Sequence, residues 1–185
     1  GHPFFVKDVL GNQVTSETIN NVSVLVKAPE HLADPTVTID RATKSASWNA
    51  VEHAADYNVV LQKNGVELYN NNQAAVTFDF AKFVTETGTY KVIVTANQNG
   101  SLYLASKNPG EDSADFVVPA VLSITEKDYV AGSNGFDVVI TLNGNTFTGI
   151  EGLTKGTDEN ADYTVAGNVV HINEKALSES KTLTF

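Results

Sequence analysis

At 185 residues the chain has room for one or two folded units and part of another. Cys and Met are both absent, which excludes disulfides, thiolate nucleophiles and cysteine-based metal sites. The net charge is −10 and no segment is basic, so the electrostatic footprint of a nucleic-acid or anionic-membrane binder is missing.

No apolar run approaches the roughly 18 residues a membrane span needs, so no membrane insertion is expected in this segment. A chain that does not begin with Met reads as a segment of a longer one, with Gly1-His2 as a tag remnant. Residues 1–28 balance their charges, and the acidity is shared by residues 29–119 and 120–185. A solvated, soluble surface accounts for it.

In chain order, Val6-Lys7-Asp8-Val9-Leu10, the turn Gly11-Asn12 and the alternating Val22-Ser23-Val24-Leu25-Val26 predict a terminal hairpin. Such a hairpin is marginal alone and must pack on something. It resembles the end of a bacterial Ig-like repeat, or else it belongs to the unit that follows. Residues 28–35, with Pro29 and Pro35, read as a linker.

From Val37 the chain predicts seven short strands separated by turns. Ala46, Trp48 and Ala50 share one face; so do Tyr57, Val59 and Leu61; so do Tyr90, Val92, Val94 and Ala96. Asn64-Gly65 is a hairpin turn, because both turn positions need positive φ. This pattern describes a β-sandwich. Trp48, Tyr57, Phe78 and Tyr90 are its expected structural core, and each large apolar side chain contributes roughly 1.5–3 kcal/mol on burial. Asn97 to Gly100 turns into a strand over residues 101–105. The stretch Lys107 to Asp112 reads as a loop, Phe116-Val117-Val118 as a last strand, and Pro119 as a boundary.

Trp48, the approach Ala54 to Tyr57 and the run Gly88-Thr89-Tyr90-Lys91-Val92-Ile93-Val94-Thr95-Ala96 resemble a fibronectin type III domain over residues 33–118. The resemblance implies a central Trp and a Tyr that anchors a corner. It implies a module, with no activity attached.

Beyond Pro119, strands are expected at residues 120–125, at Phe136 to Leu142, and, after Asn143-Gly144-Asn145, at Thr146 to Ile150. Asp162 to Val165 and Val169 to Ile172 follow, then a helical turn at Glu174 to Leu177 and a last strand at Lys181 to Phe185. Leu142-Asn143-Gly144-Asn145-Thr146-Phe147, Leu153 to Asp158 and Asp162 to Val170 resemble the X-two type of carbohydrate-binding-like module. That family is an Ig-like sandwich of bacterial extracellular proteins. Glu159-Asn160-Ala161-Asp162 is an insertion relative to its pattern, and the stop at Phe185 leaves the module incomplete. The expected fold class is therefore all-β, with tandem Ig-like and fibronectin type III-like β-sandwiches. The expected divisions are residues 1–28, 29–119 and 120–185.

No residues form a catalytic motif. His2, His31, His53 and His171 are scattered, and no nucleophile elbow occurs. Acids group at Glu111, Asp112 and Asp115 and at Asp158, Glu159 and Asp162; the second group is a weak calcium candidate, without the spacing of a known calcium loop. Sugar recognition needs an exposed aromatic face near amides or carboxylates. The candidates are Tyr69 beside Asn70-Asn71-Asn72, Tyr103 and Tyr129, each of which reads more readily as a half-buried strand tyrosine. The expectation is a non-enzymatic segment of a secreted or cell-surface bacterial protein, without a cofactor and monomeric. It would space and present other parts, with weak polysaccharide or cell-wall glycan binding. The alternatives are an adhesin segment that binds a surface protein, or an accessory module of a larger glycoside hydrolase.

Overall fold

The computed structural model describes residues 6–7, 13–14 and 20–185. The chain is all-β. Strands β1 (Val6–Lys7) and β2 (Gln13–Val14) form a short antiparallel pair. The partner of Val6–Lys7 is thus Gln13–Val14 and not the Val22 to Val26 stretch. That stretch joins no strand among the described residues and is exposed, with Val26 92% accessible. Alternation gave it the pattern of a strand, but a strand needs a neighbour to pair with.

Two sheets face each other over the middle of the chain. One is β4 (Val37–Asp40), β5 (Ser45–Trp48) and β8 (Thr77–Asp79), with β5 central. The other is ordered β11 (Gly110–Phe116), β9 (Gly88–Ala96), β6 (Tyr57–Lys63) and β7 (Val66–Gln73). Both are antiparallel throughout. Period-two alternation puts Tyr57, Val59 and Leu61 of β6 and Tyr90, Val92, Val94 and Ala96 of β9 on the inner face, all buried. Ala46, Trp48 and Phe78 close the core from the opposite sheet. Trp48 meets Tyr57 edge-on, with ring centroids 5.8 Å apart. The Tyr57 hydroxyl accepts the buried Val51 N–H at 2.7 Å, and the Tyr90 hydroxyl donates to the Glu86 carbonyl at 2.7 Å. The second bond ties the start of β9 to the preceding corner.

Two stretches expected to be loops are paired. β3 (Glu30–His31) runs parallel to β10 (Tyr103–Leu104). β11 starts at Gly110, well before Phe116, and its first residue packs so tightly on the Pro35 carbonyl that a Cβ would lie 2.0 Å from that oxygen. Only Gly fits there, so Pro109-Gly110 signals a close approach and not a turn.

A second, separate core follows. β12 (Val121–Leu122), β13 (Phe136–Thr141), β15 (Val169–Ile172) and β14 (Tyr163–Ala166) form one sheet in that order. Val138, Ile140, Tyr163, Val170 and Ile172 bury one face against Ile150, Ala176 and the half-buried Phe147, Leu153, Leu183 and Phe185. The expected strands at residues 146–150 and 181–185 form no ladder. They pack on the core without sheet pairing among the described residues, and the adjoining Glu151 N–H donates to the Thr184 carbonyl at 2.8 Å. Their apolar residues are spent on covering the sheet face, and each lacks a continuous partner.

The two cores meet through a polar joint. The Asn143-Gly144 turn has positive φ at both residues, as Asn-Gly hairpin turns require. Its Asn143 carbonyl accepts the Thr87 N–H at 2.8 Å. The Thr87 hydroxyl accepts the Val118 N–H at 2.8 Å and donates to the Val118 carbonyl at 3.0 Å. Asn145 Nδ2 donates to the same carbonyl at 2.7 Å, and Asn143 Nδ2 donates to that of Pro119 at 2.9 Å.

Candidate functional site

The three tyrosine candidates occupy different environments. Tyr69 lies on the inner side of β7, where its ring stacks on Phe78 at 4.8 Å and leans on Phe83 at 5.6 Å. It covers the open side of the core and presents no free platform. Tyr129 folds back on its own loop. Its hydroxyl donates to the Ser133 carbonyl and accepts the Gly135 N–H at 3.0 Å, and its ring lies 6.0 Å from Phe136. Tyr103 differs. It is half-buried against the first core, one ring face stacks on the exposed His53 imidazole at 4.2 Å, nearly parallel, and the residue lines an open groove of about 400 Å³ with Lys27, Pro29, Glu30 and Leu102.

The remaining histidines are bonded in place. His31 Nδ1 lies 2.8 Å from the Ala105 carbonyl. His171 on β15 sits between two acceptors, the Asp137 carboxylate at 2.7 Å from Nδ1 and the Asn134 carbonyl at 2.9 Å from Nε2. It pins the loop that Tyr129 closes. His2 lies outside the described residues.

Most of these acids already have partners within the chain. Asp158 accepts the Asn160 N–H at 2.9 Å, and Asp162 accepts the Thr154 N–H at 2.8 Å. Lys175 approaches Asp162 to 4.0 Å, and Glu159 is exposed. Along β11, Glu111 faces Lys91 at 3.7 Å, Asp112 accepts the Ile39 N–H at 2.9 Å and Asp115 accepts from the Thr89 hydroxyl at 2.6 Å. Asp112 therefore ties the last strand of one sheet to the first strand of the other. Among the described residues no three His, Asp or Glu side chains converge in a metal-binding arrangement. Asp158, Glu159 and Asp162 do not come together on one point.

Two features escaped the sequence reading. A hollow of about 310 Å³ opens beside the C-terminal sheet. Its apolar wall includes Leu142, Phe147 and Val165, and its polar residues include Asn145, Lys155 and Asn168. Phe147 and both asparagines belong to the motif residues that carry the X-two resemblance, but nothing in a linear pattern says that they share one concavity. The second feature is an amide cluster on the outer face of the four-stranded sheet. Asn58 Nδ2 donates to Asn70 Oδ1 at 2.9 Å and Asn72 Oδ1 at 3.1 Å. The Asn run after Tyr69 thus hydrogen-bonds across strands, away from the Tyr69 ring.

Chemically, these surfaces offer aromatic and aliphatic faces flanked by amides, two ammonium groups and one carboxylate. Those groups suit hydrogen-bonded recognition of a neutral polar ligand.

Residues 124–185 match the family described as carbohydrate binding domain X2, a binding module. The match spans β13, β14, β15 and the residues around the C-terminal hollow. No curated protein matches the chain.

Proposed function

We propose that the chain is a non-catalytic modular segment of a secreted or cell-surface bacterial protein, which spaces and presents neighbouring parts and binds polysaccharide or cell-wall glycan weakly. The observation that carries the glycan part is the match of residues 124–185 to a carbohydrate-binding family. The hollow bounded by Phe147, Asn145 and Asn168 lies within those residues and supports the same reading.

The spacing part is supported by the joint at Thr87 and Asn143. Hydrogen bonds from both sides of Pro119 give the connection few free torsions, so the two cores would turn together. We read residues 29–119 as a fibronectin type III-like unit and 120–185 as an Ig-like unit, with residues 1–28 as the end of a preceding repeat. Three strands facing four, and the Tyr90 bond back to Glu86, support the first assignment.

The test is co-sedimentation and affinity electrophoresis against cellulose, chitin and peptidoglycan. Retention by one of them, competed by its soluble oligosaccharide, is expected. Free passage through all three removes the glycan part and leaves the spacer. A second reading, an adhesin segment, draws support from β7, an eight-residue outer strand with one edge unpaired among the described residues. Capture of a surface protein without glycan retention would favour it.

A further inference from the structure

The groove beside Tyr103 lies outside the residues matched to the carbohydrate-binding family. We propose that this groove is a saccharide subsite, in which an uncharged pyranose ring of a neutral polysaccharide packs against Tyr103 with Glu30 beside it. The inference rests on the polysaccharide-binding reading and gives it a second address.

Parallel pairing of β3 with β10 places Glu30 directly opposite Tyr103. Directly opposed residues project to the same side, so a carboxylate stands beside an aromatic ring. These are the two groups a pyranose uses: its C–H face packs on the ring, and its hydroxyls donate to the carboxylate. Glu30 is exposed and its carboxylate makes no hydrogen bond or ion pair among the described residues. The Tyr103 hydroxyl likewise makes no hydrogen bond there. Both are available to a ligand.

The platform is fixed before anything binds. His53 backs the ring at 4.2 Å with 14° between planes. His53 itself has φ of +68°, and its carbonyl is held by Asn99 Nδ2 at 3.0 Å. The Asn99 N–H in turn donates to the Tyr103 carbonyl at 2.9 Å. These bonds hold the backbone beneath the two stacked rings, and a preformed contact loses less freedom on binding. The groove, about 400 Å³, lies at the small end of ligand sites, and Pro29 and Leu102 make it apolar between the polar ends.

The charge argues for a neutral occupant. Lys27 and Glu30 at the rim offset each other, and a chain of net charge −10 repels polyanions such as uronates.

The intact chain would be run in affinity gels containing hydroxyethyl cellulose, xyloglucan or mixed-linkage β-glucan, and depleted on insoluble cellulose and chitin. Tyr103→Ala should weaken retention about ten-fold or more, the equivalent of 1.4 kcal/mol. Glu30→Ala, which touches no packing, should weaken it several-fold, and Tyr103→Phe should retain most of it. The matching oligosaccharide should shift the His53 ring resonances. If Tyr103→Ala melts early, Glu30→Ala and the His53 resonances decide. Wild-type retention in Glu30→Ala and Tyr103→Ala overturns the groove while the polysaccharide reading stands. Absence of any wild-type retention overturns both.

Discussion

The backbone N–H of Thr87, at the corner before β9, donates to the carbonyl of Asn143 at 2.8 Å, in a turn 56 positions further on. This bond joins the two cores, and Gly144 makes it possible. A Cβ on Gly144 would sit 2.7 Å from the Thr87 carbonyl oxygen, and its φ of +79° already disfavours other residues. Gly144→Ala should therefore open the joint at roughly 1–3 kcal/mol of strain. Small-angle scattering should register a broader distribution of maximum dimensions, with each core melting as before. An unchanged scattering profile would show that the joint is not rigid.

The Thr87 hydroxyl is the second part of that joint, bonded to both polar groups of Val118. Thr87→Val keeps the shape and removes both bonds. The carbonyl keeps its bond from Asn145, so the half-buried Val118 N–H is the group left unpaired, at about 1–3 kcal/mol. Amide exchange at Val118 reports it directly, and should accelerate.

Trp48 is 5% exposed and its indole N–H finds no acceptor among the described residues. Trp48→Ala should cost roughly 3–5 kcal/mol as a large-to-small core change. Trp48→Phe should cost clearly less, because it also removes a buried donor that has no partner. Chemical denaturation of both variants measures the difference. Equal losses would mean that the N–H is satisfied.

Tyr90 combines a buried ring with a hydroxyl bonded to Glu86. Tyr90→Phe should lose about 0.5–1.5 kcal/mol, one net hydrogen bond, and leave the ring contact with Phe116 in place. A loss beyond about 3 kcal/mol would indicate that the corner itself reorganises.

His171 bridges Asp137 and the Asn134 carbonyl across a loop that Tyr129 closes from within. His171→Ala should release the loop without unfolding the sheet, because the ring lies on the outer face. The Gly135 amide should exchange faster and the global melting temperature should move little. A large drop in melting temperature would instead place His171 in the stability of the sheet.

The inward face of each long strand could be read from alternation alone. Tyr57-Val59-Leu61 and Tyr90-Val92-Val94-Ala96 are buried in register because side chains alternate with period two whatever the partner strand is. The Asn64-Gly65 and Asn143-Gly144 turns were legible for an equally local reason, since positive φ selects those residues. Val22 to Val26 had the same alternation and is no strand, because alternation cannot say whether a neighbour exists.

Of the candidate sugar-contacting residues, Tyr69, Tyr103 and Tyr129 look alike in the linear sequence. Their environments differ because of residues distant in the chain or bonds that no pattern encodes. His53 backs Tyr103 from 50 positions away, and Glu30 reaches it only through a parallel pairing of two-residue strands. Such pairings are too short to leave a periodic signal. The sequence by itself determined an all-β chain, its turns and the inner face of its longer strands, because these follow from the geometry of single residues. Tertiary structure alone decided which tyrosine borders a groove, which acids are already spent on backbone amides, and how the Asn143-Gly144 turn meets Thr87. Each of these depends on which distant segments come into contact, and local geometry does not specify that.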